Sequence, residues 1–510
     1  MKICLIKPPV LHKGVSFARY ATPPLGLAYI AAALKKSGNE VYVIDASATG
    51  INSVEKYKDN IYLFGLNKND ISDLIHADTE VICFSFMFTN NWLYDRELVS
   101  YIKEKHPNSV LIAGGEHATA APQYCMEQAP LDFIVLGEGE SAVVELCNSL
   151  KENNSFSEVP GIVYRNNEGI NYSKGKKRIK DIEKIPWPAW ELFPIEEYFE
   201  NEMTYGVHRG RTLPIMATRG CPYDCTFCSS PLMWGRKYQM RSPKDFVDEI
   251  EHLYNTYKVD NFDLYDLTAI IVKSWIVEMC NEIIKRDLKI TYQLPSGTRA
   301  EAIDFEVADL LYKSGCKNIT YAPESGSDKV LKEVKKKVKT KKMLESIKYS
   351  NQAGLNIKLN MIMGFPDDTH KDIWISFWFL IKSTWYGAND AAPAIFSPYP
   401  GSELFDRLIE EGKLNLKNDD FLYSIIDSYD VVPKKVYSNN ISAFSIRAYI
   451  FIFLILFYGS NYLFRPNRFF TTIYNVLKNK QESKIEQLIH VNLIKPIVLF
   501  FNRSNLYHNK

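Results

Sequence analysis

The chain has 510 residues, 46% hydrophobic and 24% charged, with 61 Lys and Arg against 60 Asp and Glu. That length gives room for two or three domains with full cores, and the composition excludes a disordered chain. A formal net charge of +1 gives the bulk electrostatics no bias toward nucleic acid. Nine cysteines without regular pairing fit a reducing compartment. The N-terminal run Met1-Lys2-Ile3-Cys4-Leu5-Ile6 enters a strand at once, without the long apolar stretch of a signal peptide, so a cytoplasmic location is expected.

In the first 150 residues strand and helix signals alternate. Lys2–Lys7 reads as a strand ending in Pro8-Pro9, and Leu25–Ser37 as a helix stopped by Gly38. Further strands are expected at Glu40–Ile44, Glu80–Phe86, Ser109–Ala113 and Leu131–Leu136, with helices through Leu93–Lys105 and up to Ser149. Repeated units of this kind imply a parallel, doubly wound sheet whose ligands bind at the carboxyl ends of the strands. Small residues collect at those ends: Ala46–Gly50, Gly114–Thr119 and Gly137–Glu140. No Gly-x-Gly-x-x-Gly fingerprint follows the first strand, which speaks against a dinucleotide. A nucleotide or substrate site remains the competing reading for this region.

Residues 151–205 are polar and turn-rich, with Asn153-Asn154-Ser155, Arg165-Asn166-Asn167-Glu168-Gly169 and Lys174-Gly175-Lys176-Lys177-Arg178, and read as a hairpin connector. The lysine run is a solvated loop, with binding of an acidic partner as the second reading. Alternation then resumes. Thr212–Thr218 is a strand, followed by strands at Asn261–Tyr265, Lys289–Leu294, Asn318–Ala322, Ile357–Met363 and Ala391–Ser397. Helices are expected at Pro243–Tyr257, Lys273–Lys285, Phe305–Ser314, Leu344–Ala353 and Lys371–Lys382. Six such units suggest a β/α barrel, with chemistry at the strand C-termini.

The loop after the first of these strands reads Arg219-Gly220-Cys221-Pro222-Tyr223-Asp224-Cys225-Thr226-Phe227-Cys228. Cysteine thiolates are the usual ligands of iron–sulfur clusters. Three of them leave one iron of a cubane open to bind a substrate. A tetrahedral zinc site wants four ligands; no further Cys lies within fifty residues of the run, and His208 is poorly placed in sequence to serve.

The Cys-x-x-x-Cys-x-x-Cys spacing, with an aromatic residue before the last cysteine, resembles the radical S-adenosylmethionine (SAM) superfamily. The resemblance implies a [4Fe–4S] cluster on Cys221, Cys225 and Cys228, a partial β6/α6 barrel, and SAM bound by loops in chain order behind the cysteines. Those loops resemble Asp263/Asp266, Arg299 within Ser296-Gly297-Thr298-Arg299, Glu324-Ser325-Gly326-Ser327, and Gly364-Phe365-Pro366. By that resemblance a carboxylate meets the SAM amino group or ribose, Arg299 meets its carboxylate, Glu324 and Ser325 complete the polar contacts, and adenine stacks at Gly364. The second-strand segment Asp263-Leu264-Tyr265-Asp266 departs from the Gly-Gly-Glu of many members.

The first domain resembles the cobalamin-binding domain that precedes the cluster domain in one large radical SAM class. The matching runs are Pro23-Pro24-Leu25-Gly26-Leu27, Gly114-Gly115-Glu116-His117-Ala118-Thr119 with Pro122, and Gly137-Glu138-Gly139-Glu140. This implies that Gly114, Gly115, Gly137 and Gly139 let backbone approach the corrin without a Cβ clash, and that Thr119 bonds its amide arms or nucleotide tail. The resemblance implies a base-off cobalamin without a histidine below the cobalt; His117 reads first as a polar loop residue near the corrin rim, with a cobalt ligand as the challenging reading. Asp45-Ala46-Ser47-Ala48-Thr49-Gly50 has Ser47 where cobalt-ligating motifs carry histidine, and reads as a strand-end loop. The expected organisation is therefore a cobalamin-binding Rossmann-like domain over 1–150, a connector over 151–205, a radical SAM barrel over 206–405, and a helical C-terminal region over 406–510.

What the two resemblances imply together is a cobalamin-dependent radical SAM methyltransferase acting on an unactivated carbon or phosphorus of a small-molecule or lipid-like substrate. An electron donor such as flavodoxin or ferredoxin would serve it. Tyr399-Pro400-Gly401-Ser402 resembles another recurrent run of the group, lining the substrate side, with a simple turn as the alternative. Ring-forming chemistry of the anaerobic magnesium-protoporphyrin ester cyclase kind is the alternative function, and a non-catalytic cobalamin-sensing partner protein the second. The run Ala448–Phe464 carries no charge and is flanked by Arg447, Arg465 and Arg468. It reads as a buried cap helix, with membrane-surface attachment as the alternative.

Overall fold

The computed structural model describes residues 1–14, 21–152, 154–176, 178–428 and 433–494. Asn153 and Lys177 of the connector, and residues 495–510 of the helical C-terminal region, lie outside the described residues.

Strands Lys2–Lys7, Glu40–Asp45, Val81–Ser85, Val110–Gly114 and Phe133–Val135 pair in parallel, in the spatial order 2-1-3-4-5. Their short, almost unbroken apolar runs are those of strands covered on both faces. Ile3 and Leu5 pack under the helices Leu25–Lys36 and Gly139–Glu152, while Cys4 and Ile6 face the opposite way, toward Trp92–Lys105. The Ala- and Leu-rich Leu25–Lys36 segment has high helix propensity and stops where Gly38 turns to φ +80°. The order reverses between Lys2–Lys7 and Val81–Ser85, which opens a crevice at the carboxyl edge there.

Three local expectations are revised. The connector's hairpin, Ile162–Asn166 with Gly169–Tyr172, joins the first sheet as two antiparallel edge strands beside Phe133–Val135. Val10–Lys13, Val54–Lys58 and Ile61–Phe64 form a separate antiparallel sheet. The Asp45 loop closes into one helical turn, Ala46–Thr49, because the Asp45 carboxylate accepts from Ala48 N at 3.1 Å.

The second sheet has six parallel strands in chain order: Thr212–Ile215, Asn261–Leu264, Thr291–Thr298, Cys316–Glu324, Asn356–Met363 and Asp390–Ile395. Its first and last strands do not pair with each other, so the barrel is partial. The first strand stops at Ile215; Thr218–Arg219 then pair antiparallel with Gln239–Met240, framing the cysteine loop.

Beyond the barrel the chain serves both halves. Asp420–Ser428 reaches back to the first domain, where Arg96 donates to the Asp419 carboxylate at 2.8 and 2.5 Å and Phe421 meets the Tyr124 ring. Ala443–Phe464 lies along the barrel helix His370–Tyr386. Only one side of it is buried, through Ile446, Tyr449, Ile450, Phe453, Phe457 and Asn461, whereas Phe451, Ile455 and Leu463 are exposed. The expectation of a buried cap helix is therefore corrected to a half-buried one.

Candidate active site

The carboxyl edges of the two sheets face one cleft, with a cavity of ≈ 250 Å³. The first domain contributes Ser85, Gly114, Gly115, Glu116 and the Gly137–Glu140 loop. The barrel contributes Met216, Thr218, Arg219, Gly220, Tyr265 and Leu267, and the short helix Ser230–Trp234 after the cysteines contributes Met233 and Trp234.

The cysteine loop is fastened to the first domain at both ends. Before it, Arg219 is enclosed, and its guanidinium donates to Glu138 at 3.1 Å and to Glu140 at 2.5 Å. Burial works against that charge, but Glu140 and Glu138 outweigh it, so the Arg219 pKa lies above its ordinary value. Immediately after Cys228, Ser229 Oγ donates to Glu116 Oε1 at 2.5 Å, and burial raises the Glu116 pKa. From within the loop, Thr226 N donates to Val334 O at 3.1 Å, and Phe227 meets Phe365 at 5.5 Å between ring centroids. The loops that the resemblance assigns to two cofactors are thus bonded to one another. Arg219, Ser229 and Glu116 were not singled out from sequence for this role. A single chain gives no sign of pairings made across 79 to 113 positions.

Among the expected SAM residues, the acidic pair is committed elsewhere. Asp266 accepts from Thr218 N and Thr218 Oγ1, both at 2.5 Å, and from Ala217 N at 3.1 Å. It is a clamp on the strand end that launches the cysteine loop. Burial pushes its pKa up to about 6, against those bonds. Asp263 accepts from Thr204 Oγ1 and Gly206 N at 2.7 and 2.9 Å, in the register of Pro214 and Gln293. It sits lower in the sheet, among residues that close the amino-terminal side of the barrel, and burial raises its pKa. Asp263 keeps a buried Oδ1 without a partner among the described residues, but neither aspartate lines the cleft.

Arg299 and Glu324 are better placed. The Arg299 guanidinium stacks 3.7 Å from the Tyr223 ring centroid of the cysteine loop and donates to the Lys337 carbonyl and to Glu301 Oε1 at 3.1 Å, yet its buried Nε has no partner among the described residues. Glu324 takes the left-handed φ of +64° and pairs with Lys336 Nζ at 2.8 Å, and Lys336 in turn lies within electrostatic reach of Cys225. Ser325 is held against Ser376 Oγ at 3.1 Å. Gly364 N donates to Asp368 Oδ2 at 2.9 Å, at φ +83°.

The expected cobalamin residues divide. Gly114 lines the cleft and has room for a Cβ: its nearest neighbour would be Val135 O, in ordinary contact at 3.7 Å. Gly115 and Gly139 also line the cleft, but a Cβ on them would strike protein, Phe86 O at 2.5 Å and Ile30 Cδ1 at 2.9 Å. Backbone packing at φ +107° already requires glycine at 115, whereas at 139 only the tip of the Ile30 side chain would have to move. Gly137, at φ +73°, donates its N–H to Thr119 Oγ1 at 3.0 Å, so Thr119 is an internal strut. His117 is not a wall of the cleft. It is buried against Trp92, with Nδ1 3.1 Å from Thr89 Oγ1, and burial lowers its pKa to about 3. Its role as cobalt ligand is withdrawn: the ring would have to leave a closed pocket to reach the cleft.

These residues fit the groups they are expected to hold. Arg299 Nε is a buried donor awaiting an acceptor, Gly114 forms an open cradle, and three cysteines share one loop. Among the described residues no three His, Cys, Asp or Glu side chains converge on a single metal-ion position. A cubane takes each thiolate at a different iron, so its cysteines need no such convergence.

Comparison with known proteins finds a family model in each of the two sheet-bearing parts. A B12 binding domain model matches residues 14–147, and a radical SAM superfamily model matches residues 215–377. The chain is 29% identical over 427 residues to the cytidylyl-2-hydroxyethylphosphonate methyltransferase of Streptomyces wedmorensis, covering 77% of this chain and 78% of that protein. It is 28% identical to the anaerobic magnesium-protoporphyrin IX monomethyl ester cyclase of Cereibacter sphaeroides, covering 81% of this chain and 64% of that protein. In fold it is similar to the radical SAM methyltransferase TsrM of Kitasatospora setae with cobalamin and a [4Fe–4S] cluster bound, at a TM-score of 0.62 and 17% identity over 80% of this chain and 75% of that one. The cofactors are a [4Fe–4S] cluster, SAM and cobalamin. With a B12-binding domain and a radical SAM domain in tandem and their carboxyl edges sharing one cleft, the chain belongs to the cobalamin-binding radical SAM enzymes.

Proposed function

We propose that this enzyme is a methyltransferase acting on an unactivated carbon or phosphorus centre of a small-molecule or lipid-like substrate. The observation that carries this reading is the shared cleft, onto which the cobalamin-side loops and the cysteine loop are fastened together by Arg219, Glu138, Glu140, Ser229 and Glu116. When bound, the cluster supplies the electron that cleaves SAM to a 5′-deoxyadenosyl radical, and cobalamin supplies the methyl group. Cys221, Cys225 and Cys228 would hold the cluster, Arg299 the SAM carboxylate, and the backbone at Gly114 the corrin edge. Asp266 fixes the strand end from which the cysteines project. Met216, Met233, Trp234, Tyr265 and Leu267 give the cleft largely apolar walls that exclude water around a reactive radical. A single-electron donor of the flavodoxin or ferredoxin class completes the system.

Similarity to the cyclase supports ring formation as the second reading. One experiment separates the two. Protein loaded anaerobically with iron, sulfide and cobalamin is given methyl-labelled SAM, a reductant and a cell extract containing acceptors. Label moving into a product supports methyl transfer, and a new product without label supports cyclisation. Cys221→Ala should abolish either; unchanged turnover in that variant would overturn the cluster-dependent reading of the cysteine loop.

A further inference from the structure

Three helices carry an apolar surface that no part of the described chain covers. On His370–Tyr386 the exposed positions Trp374, Trp378 and Trp385 fall on one face, at helical spacings of four and seven. On Ala443–Phe464 the side turned away from the barrel carries Phe451, Ile455 and Leu463, and on Pro466–Lys478 the exposed apolar residues are Phe469, Phe470, Ile473, Tyr474 and Leu477. Contact between the Trp385 and Phe464 rings, 5.2 Å between centroids, joins the first helix to the second. The exposures are large: 63% at Trp378, 68% at Trp385, 70% at Ile455 and 68% at Phe470. Scattered single hydrophobics need no explanation, but a continuous aromatic patch marks an interaction site.

Charge identifies the partner. No Asp or Glu occurs between Ile373 and Tyr386, or between Ser442 and Gln481. Exposed Lys371 and Lys382 share the tryptophan face, and Lys478 follows Tyr474 by one turn. A surface that is apolar and aromatic, edged by lysine and free of acid, matches the headgroup boundary of an anionic bilayer. A second copy of the chain would place lysines against lysines.

Polar anchoring ties this helix to the end of the barrel. Asn461 Nδ2 donates to Ala388 O at 3.0 Å, Tyr458 OH donates to Asp390 Oδ1 at 2.5 Å, and Arg465 Nη1 donates to Gly387 O at 3.0 Å. Spanning would tear all three from the barrel end and carry them into hydrocarbon. We propose that this three-helix face docks the enzyme peripherally on an anionic lipid surface, with the tryptophan and phenylalanine side chains inserted at the headgroup level. The proposal is independent of which reaction the cleft performs.

Flotation of the full-length, cofactor-loaded protein with vesicles tests it. Phosphatidylcholine vesicles containing phosphatidylglycerol should carry the protein upward, pure phosphatidylcholine vesicles should carry less, and added salt should weaken the difference. Ile455→Asp/Phe470→Asp alters only exposed side chains, and should keep its melting temperature while losing roughly tenfold or more in vesicle affinity. Lys382→Glu/Lys478→Glu should lose the preference for anionic vesicles. Three results would overturn the proposal: wild-type protein that stays at the bottom with anionic vesicles, flotation equal in wild type and the aspartate variant, or a lipid-free dimer that the aspartate variant dissolves.

Discussion

A Cβ built on Gly115 would sit 2.5 Å from the Phe86 carbonyl oxygen at a backbone φ of +107°, whereas one built on Gly114 meets nothing closer than 3.7 Å. Adjacent glycines therefore have different reasons to be glycine. Gly115→Ala should destabilise the first domain by about 1–3 kcal/mol through strain and clash, seen as a lower melting temperature in apo protein. Gly114→Ala should melt with wild type and instead bind cobalamin more weakly in an absorbance titration, because its methyl projects into the cleft. Asp368 offers a second contrast. Its Oδ2 accepts from Gly364 N and Phe365 N, its buried Oδ1 has no partner among the described residues, and burial pushes its pKa up to about 7. A carboxyl raised in the folded state binds its proton more tightly there than in the unfolded chain. Its effect on stability is thus most favourable below the unfolded value near 3.8 and is lost as pH rises toward about 7. Asp368→Asn removes that loss, so the melting temperature of the variant should gain on wild type as pH goes from 4 toward 7. A difference that stays flat over this window would refute the assignment.

Elements were legible from sequence where local pattern sufficed. Alternating apolar strands and Gly-stopped helices place both parallel sheets, and the cysteine spacing marks its loop. The hairpin at 162–172 reads as a polar linker, because its hydrogen-bonding partner, Phe133–Val135, lies far back in the chain. In the antiparallel sheet the pairing of Val10–Lys13 with Ile61–Phe64 is likewise distant, whereas Val54–Lys58 and Ile61–Phe64 form a local hairpin whose first strand, Val54-Glu55-Lys56-Tyr57-Lys58, is too polar to read as one. Asp266 shows how a residue type alone misleads: a carboxylate near a SAM site invites a ligand role, yet it braces a neighbouring strand end. Asp266→Ala should leave Thr218 N and Ala217 N without their acceptor, loosen the base of the cysteine loop, and reduce reconstituted iron per chain. Asp266→Asn keeps an acceptor oxygen and should retain most of the iron. Equal iron in the alanine variant and wild type would show that the clamp is dispensable.

At the scale of the whole molecule, the two domains meet through a buried ion triad, Glu138–Arg219–Glu140, with Arg219 only 3% exposed. Enclosed ion pairs add little net stability over an apolar filling, but removing one partner strands the other. Arg219→Met would strand Glu140 without its cation while Glu138 keeps Arg178 at 3.3 Å, and should cost about 3–5 kcal/mol. The triple change Arg219→Met/Glu138→Gln/Glu140→Gln removes these three charges together, leaves Arg178 with its side chain 24% exposed to water, and should recover most of that loss. Orientation is a separate matter, since Arg219 directly precedes Gly220 and Cys221, and its two partners bracket Gly139 in the cobalamin-side loop. The recovered triple variant should bind cobalamin and rebuild its cluster as wild type does. With the charged link between the two loops gone, it should turn over at least about tenfold more slowly, the effect expected when reacting groups lose alignment. Wild-type turnover in a stable triple variant would reduce the triad to packing; slow turnover with full cofactor content would make it the device that aligns the two domains.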